Sequence, residues 1–145
     1  MLIQILEEKF NAWERLQSYE ISQNFIGKCG ATSVFVGTMR DFNEGDQVQS
    51  LFLEHYPEMT QRYLEKIAQE TFKQWDILDV LIIHRVGEIN IDEQIVLTAA
   101  WSAHRSEAFA ACRYLIEELK HRAPFWKRET LNNGVRWVSS NTPAD

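Results

Sequence analysis

Residues 77–103 read ILDVLIIHRVGEINIDEQIVLTAAWSA and contain two long, almost continuous apolar runs. The runs at 77–87 and 94–103 are separated only by the short stretch EINIDE at 88–93. Apolar runs that do not alternate with polar residues are typical of strands buried on both faces of a sheet. We therefore expect two central strands, joined by a connection over residues 88–93.

The residues before this pair predict three more strands, a hairpin turn and two helices. β-Branched and apolar residues cluster in, or alternate along, the predicted strands, which are residues 2–6, 31–39 and 48–56. Turn residues fill DFNEGDQ at 41–47, with Gly45 as the pivot of a hairpin. Helices are expected near residues 11–19 and from Pro57 to about Trp75. The second helix is expected to serve packing only.

The chain after residue 103 predicts one long helix and a final hairpin. The helix is expected to begin near Arg105 and to continue through Lys120, and Pro124 stops it. FWKRETL at 125–131 and VRWVSS at 135–140 are expected to pair as strands across the NNG between them. The chain therefore ends in a predicted pair of antiparallel strands.

This element order predicts an α+β fold with a mainly antiparallel sheet and packed helices, in a single domain over residues 1–145. The chain is 45% hydrophobic, which suffices for one core. Its formal net charge is -6, whereas a general nucleic-acid binder needs a broad basic surface. No apolar segment is long enough for a secretory signal or a bilayer span. We expect a cytoplasmic protein that binds neither nucleic acid nor membranes.

The cysteines and histidines do not have the spacing of a metal site or a disulfide framework. Cys29 and Cys112 form no CxxC motif and have no companion histidine at ligand spacing. The motifs GxGxxG, GxxxxGK[ST], GxSxG and HExxH are also absent from the sequence. We therefore expect no metal, no cofactor and no cysteine nucleophile.

Five cationic or titratable residues fall at the ends of predicted elements: Arg40, His104, Arg105, Lys120 and Lys127. If these ends converge, they form a local cleft for a phosphate or carboxylate, to which a helix beginning near Arg105 adds backbone N–H groups. Neighbouring cations and partial burial would also lower the pKa of a lysine there. The alternative is that Lys120 is a solvated charge at a helix end and Lys127 an exposed strand residue.

Five stretches in order carry a resemblance to a known family. They are GTMRDFNEGD at 37–46, LEHYPEMT at 53–60, IIHRVGEI at 82–89, SAHRSEAF at 102–109 and KHRAPFWKRE at 120–129. With these motifs the chain resembles the large, catalytic subunit of molybdopterin synthase over residues 30–138. The resemblance implies an α/β-hammerhead-like fold.

The resemblance also implies an activity and two protein partners. Such a subunit is a sulfurtransferase that inserts two sulfurs into cyclic pyranopterin monophosphate, also called precursor Z, to form the dithiolene of molybdopterin. The sulfur comes from the C-terminal Gly-Gly thiocarboxylate of a small ubiquitin-like sulfur-carrier subunit. Two large subunits form the central homodimer of a heterotetramer.

The site residues implied by the resemblance are carried over by motif. Lys120 and Lys127 are the expected catalytic residues. The expected substrate-binding residues are Thr38, Met39, Arg40, His104, Arg105, Lys120, Lys127, Arg128 and Glu129. The chain departs from its relatives at Thr38 and Met39, where they often have a basic residue and valine, and at DFN, where they often have NHN.

Two alternatives from other functional classes remain open at the level of the sequence. The first is a non-catalytic module that docks a ubiquitin-like sulfur-carrier protein and presents its tail to another enzyme. The second is an unrelated enzyme that processes phosphoesters. The sequence also leaves open which lysine transfers a proton and which acts by its charge alone.

Overall fold

The first sheet of the protein is built around the two apolar runs. A computed structural model describes residues 1–138, in which β5 (Asp79–Arg85) pairs antiparallel with β7 (Gln94–Ser102). β1 (Leu2–Leu6) adds to β5 in parallel and β2 (Ala31–Thr38) adds to β7 antiparallel, giving the order β1-β5-β7-β2. Every residue of β5 is buried, which confirms the prediction of a central strand.

Helices cover both faces of this sheet. α2 (Pro57–Gln74) and α3 (Arg105–Arg122) pack on the face that contains Val80 and Ile82. α1 (Ala12–Ser22) packs on the opposite face, because successive side chains of β5 point to opposite sides. The sheet is therefore the middle layer of three.

The second sheet is centred on β4 (Asp46–His55). β8 (Phe125–Leu131) pairs with one edge of β4 and β9 (Gly134–Val138) extends beyond β8. β6 (Gly87–Asn90) pairs with the other edge of β4. The sequence predicted a mere connection at residues 88–93, which is wrong for 88–90 because these residues gain backbone partners on β4.

The hairpin before β4 turns where the sequence predicted it. β3 (Phe42–Asn43) pairs with the start of β4, and Glu44 and Gly45 form the loop. Both loop residues have positive φ, 51° and 83°, as the commonest two-residue hairpin turn requires. Gly45 is thus the pivot of the hairpin, and this prediction is confirmed.

A bulge in β4 changes which side chains share a face. Val48 pairs with Leu131 and Ser50 with Thr130, so one extra residue is accommodated between Val48 and Ser50. Strict alternation would put Val48 and Leu51 on opposite faces, but both are buried in one cluster with Met39. Because of the bulge, Val48 and Leu51 of the second sheet both pack in one cluster with Met39, the residue that follows β2.

The predicted fold class is confirmed. Of the strand pairings within residues 1–138, β1 with β5 is parallel and the others are antiparallel. α1 and α3 extend two to three residues beyond the predicted ends. No helix in this part of the chain is long and apolar enough to cross a membrane. Ser139 and Ser140 of the predicted last strand lie outside the described residues.

Candidate active site

A cavity of about 690 Å³ lies where the two sheets and the end of α3 meet. Three of the predicted cations line it, although they are far apart in the sequence: Arg40 follows β2, Lys120 belongs to the last turn of α3 and Lys127 lies on β8. The fold thus brings these three residues to one place. An anionic group placed among these three cations would be attracted by each of them.

Lys127 reaches the cavity because of the alternation of side chains along β8. Phe125, Lys127 and Glu129 line the cavity, whereas Trp126 and Arg128 do not. Trp126 is 44% exposed and makes an edge contact with Tyr56, so it does not shape this cavity. The alternation along β8 therefore directs Lys127 and Glu129 toward the cavity and Arg128 away from it.

Arg128 packs outside the cavity, against aromatic rings. Its guanidinium carbon lies 4.9 Å from the centre of the Phe52 ring and 5.8 Å from that of Trp137. At such distances the positive charge is attracted to the face of the ring. The predicted contact of Arg128 with the substrate is not supported by this placement, since a strand turns neighbouring side chains to opposite faces.

The two lysines differ from solvated surface lysines. The pKa of Lys127 is lowered to about 8, mainly by burial and also by the charges of Lys120 and Arg40, while Glu129 opposes this fall. Burial also lowers the pKa of Lys120, which Glu117 opposes and the charge of Arg40 reinforces. A lysine with a pKa near neutrality can exchange protons at physiological pH. The alternative of an exposed strand residue therefore does not hold for Lys127.

Glu129 supplies a fixed negative charge beside Lys127. It is 5% exposed, and its Oε1 accepts hydrogen bonds from Asn43 Nδ2 at 3.0 Å and from Arg136 Nη2 at 3.2 Å. These contacts hold the carboxylate in place. Glu129 thus opposes the fall in the pKa of Lys127 and balances part of the positive charge of the cavity.

The TMR motif contributes to the cavity through three differently placed residues. Met39 is buried at 5% exposure in the cluster that includes Val48 and Leu51. Thr38 and Arg40 are exposed, and the Arg40 guanidinium lies 4.8 Å from the centre of the Phe42 ring. All three motif residues line the cavity. Arg40 is the one with charge to offer an anion.

His104 and Arg105 lie at the opposite end of α3 from Lys120. His104 is the N-cap of the helix and makes no capping hydrogen bond through its side chain, and both residues are exposed. Lys120 follows Arg105 by 15 residues, which is about 22 Å along a helix. The expected convergence of both residues with Arg40 is therefore wrong within one chain, because a continuous helix holds the two ends apart.

His84 also lines the cavity, although it is not among the predicted site residues. It lies on β5, is 5% exposed and stacks on Phe125 with ring centres 4.1 Å apart. Its pKa is lowered to about 4, mainly by burial and also by the charges of Lys127, Lys120 and His55, while the hydrogen bond to Arg85 opposes this fall. The available signal was a histidine within an otherwise apolar central strand, in the stretch IIHRVGEI.

The site has the composition for anion binding and proton transfer. Two lysines with lowered pKa and one arginine line the same cavity, together with the carboxylates of Glu44, Glu117 and the hydrogen-bonded Glu129. Within residues 1–138, no group of three or more His, Cys, Asp or Glu residues is arranged to hold a metal ion. The arrangement can hold an anionic group and stabilise negative charge that develops on an oxygen.

Comparison with known sequences gives one family. The model of the MoaE protein family matches residues 5–122. A protein from Ralstonia nicotianae named molybdopterin synthase catalytic subunit is 49% identical over 111 residues, which are 77% of this chain and 63% of that protein. A protein of the same name from Pseudomonas aeruginosa is 44% identical over 138 residues, covering 95% of this chain and 90% of that protein.

Comparison with solved structures agrees with the sequence matches. The crystal structure of molybdopterin synthase from Staphylococcus aureus is similar with a TM-score of 0.82 and 30% sequence identity. The similarity covers 93% of this chain and 95% of that chain. The chain thus shares its fold with a relative of 30% sequence identity.

Proposed function

The chain belongs to the MoaE protein family, and we infer from this that it is the catalytic subunit of a molybdopterin synthase. It transfers sulfur from the thiocarboxylate tail of a small ubiquitin-like subunit to cyclic pyranopterin monophosphate. The observation that carries this function is the shared cavity of Lys120, Lys127 and Arg40. A cyclic phosphate and a thiocarboxylate are both anions, and holding them close together requires cations around them.

The chemistry assigned to the cavity needs no cysteine. The sulfur of the tail forms a bond to a carbon of the substrate, and an oxygen leaves that carbon. Water then cleaves the bond between the acyl carbon and the sulfur, so that the tail ends as a carboxylate and the substrate keeps the sulfur. An ammonium group can stabilise the oxyanion of these steps or give a proton to the leaving oxygen. Lys120 and Lys127 are the residues placed for this.

We assign the phosphate of the substrate to a site made by two copies of this chain. Arg40 lies at the lysine cavity, while His104 and Arg105 of the same chain lie at the far end of α3. In a homodimer the second copy can bring its own His104 and Arg105 to the first copy's Arg40. In this arrangement Arg40, His104 and Arg105 can all bind the phosphate although α3 holds them apart within one chain. Each active site then needs both copies of the homodimer.

The assembly is proposed to work in the cytoplasm. Both Cys29 and Cys112 are free thiols, and Cys112 is buried beside Thr98. Free thiols persist in compartments kept reducing, of which the cytoplasm is the main example.

A reconstitution experiment tests the function itself. Purified chain, thiocarboxylated small subunit and cyclic pyranopterin monophosphate are expected to yield a product that contains two sulfurs. A small subunit ending in an ordinary carboxylate is the control and should give none. Binding of the small subunit without sulfur transfer would instead indicate a docking module, and loss of phosphate without sulfur transfer would indicate a phosphoester-processing enzyme.

The rate of sulfur transfer is expected to fall as the pH rises through about 8, where Lys127 loses its proton. Below this pH Lys127 is an ammonium, the form needed both to donate a proton and to stabilise an oxyanion; above it the amine is neutral. A solvated lysine would place the same loss near 10.5. The measurement is kcat/KM for the precursor against pH, since this ratio reports groups of the free enzyme.

Lys127→Arg is the matched variant for this pH profile. A guanidinium keeps its charge at every pH of the assay, so the residual activity of the variant should show no decline near pH 8. A wild-type profile that stays flat to pH 10, or that rises through pH 8, would remove the ammonium of Lys127 from the mechanism.

A further inference from the structure

A further inference concerns His84, which is not among the site residues implied by the resemblance, and it rests on the function proposed above. We propose that His84 is a positioning residue for sulfur transfer: its Nε2 is a fixed hydrogen-bond acceptor that holds the ammonium of a cavity lysine, Lys127 foremost. It acts through the lysine and not on the substrate.

The hydrogen bond between the ring and Arg85 determines which nitrogen is left as an acceptor. Nδ1 of His84 lies 2.6 Å from the backbone oxygen of Arg85. A carbonyl oxygen only accepts, so Nδ1 must carry the proton and donate it. In a neutral ring the other nitrogen, Nε2, then has a lone pair and no hydrogen. The local backbone of β5 thus selects the tautomer.

Packing holds the ring of His84 close to the strand that carries Lys127. The ring of His84 stacks on Phe125 with an angle of 15° between the planes. Phe125 lies two residues before Lys127 on β8 and lines the same cavity. Because β5 is a fully buried central strand, the ring of His84 cannot shift easily. The imidazole is therefore held beside the strand that carries Lys127.

The charges around the ring keep it an acceptor over the working pH range. His84 is faced by Lys120 from α3, Lys127 from β8 and His55 from β4, and its pKa is lowered to about 4 mainly by burial. Lys127 in turn is faced by Lys120, Arg40 and Glu129. A neutral acceptor stabilises an ammonium among these cations without becoming a further positive charge. His84 and Glu129 thus oppose the burial that favours the neutral amine.

Three substitutions separate the two nitrogens of the ring. Glutamine can place its amide oxygen near the position of Nε2, whereas asparagine reaches only the position of Nδ1 and can still donate to Arg85. Phenylalanine keeps the stack on Phe125 and removes both nitrogens. His84→Gln should therefore retain the function of Nε2, and His84→Asn and His84→Phe should lose it.

The expected readout is the alkaline limb of the pH profile of kcat/KM. In His84→Asn and His84→Phe this limb should move to lower pH by about one to two units, which corresponds to one hydrogen bond to a charged group. In His84→Gln it should stay near the wild-type position. Unchanged limbs in the asparagine and phenylalanine variants, or an equal shift in all three, would overturn the proposal.

A measurement on the wild-type chain keeps the proposal testable if a variant does not fold. Nitrogen-15 NMR of the histidine-labelled full chain, without substrate or small subunit, distinguishes a protonated ring nitrogen from an unprotonated one. We expect Nδ1 protonated and Nε2 unprotonated for His84 at pH 7. A proton on Nε2 would exclude it as an acceptor, whereas failure of sulfur transfer by the wild-type enzyme would count against the function and not against this tautomer.

Discussion

Replacing Lys127 or Lys120 with alanine is expected to slow sulfur transfer by about 10² to 10³, the usual cost of removing one preorganised donor of charge. Both side chains line the cavity, and both have pKa values lowered by burial. Lys127 lies on a strand and Lys120 near the end of a helix, so removing either head group should leave the fold nearly intact. Single-turnover conversion of the precursor is the measurement.

The matched control for the two lysines is Lys73→Ala. Lys73 lies in the last turn of α2, is exposed and does not line the cavity. This variant should convert the precursor at the wild-type rate, and all three variants should bind the small subunit with similar affinity. Wild-type rates in both Lys120→Ala and Lys127→Ala would show that the cavity is not the catalytic site.

Mixing two inactive variants is expected to restore activity if two copies complete each site. Arg105→Ala removes a donor to the phosphate and should reduce transfer by on the order of 10 to 100, the equivalent of a hydrogen bond to a charged group. A dimer with one Arg105→Ala copy and one Lys120→Ala copy has one intact site and one doubly defective site. With random mixing, half of the dimers are mixed, and each mixed dimer has one intact site out of two. The mixture should thus recover roughly a quarter of the wild-type rate.

The control for this complementation is a mixture of Lys120→Ala and Lys127→Ala copies. These two lysines belong to the cavity of the same chain, so every site of a mixed dimer lacks one of them. No activity above that of the separate variants is expected. If the mixture with Arg105→Ala also fails to exceed its separate variants, Arg105 does not act across a dimer.

Parts of the fold could be predicted from the sequence because their signals are local. The apolar runs of β5 and β7 and the Gly45 turn each depend on residues close together in the chain. Two features depended on partners far away in sequence. β6 pairs with β4, and the bulge after Val48 depends on the register with β8. Neither pairing leaves a periodicity that the sequence alone reveals.

Part of the site could also be predicted, because the motifs that contain its residues are short, local stretches of sequence. The motifs identified Lys120, Lys127 and Arg40, and the fold brings these three together. The alternation of side chains along the predicted strand at 125–131 already implies that Arg128 and Lys127 point to opposite faces. The length of α3 likewise implies that Arg105 and Lys120 are far apart. His84 was harder to recognise, because its role depends on burial against Phe125 and on neighbours from other elements.

The most direct test of the account is to locate the tail of the small subunit in a complex that transfers sulfur. A photoreactive group or an activated acyl terminus on the last glycine of the tail is attached to the enzyme, and the modified residue is identified by mass spectrometry. The account predicts modification at Lys120 or Lys127, or at their immediate neighbours in the cavity. Modification that consistently lies far from residues 120–129, in a complex still competent for transfer, would contradict it.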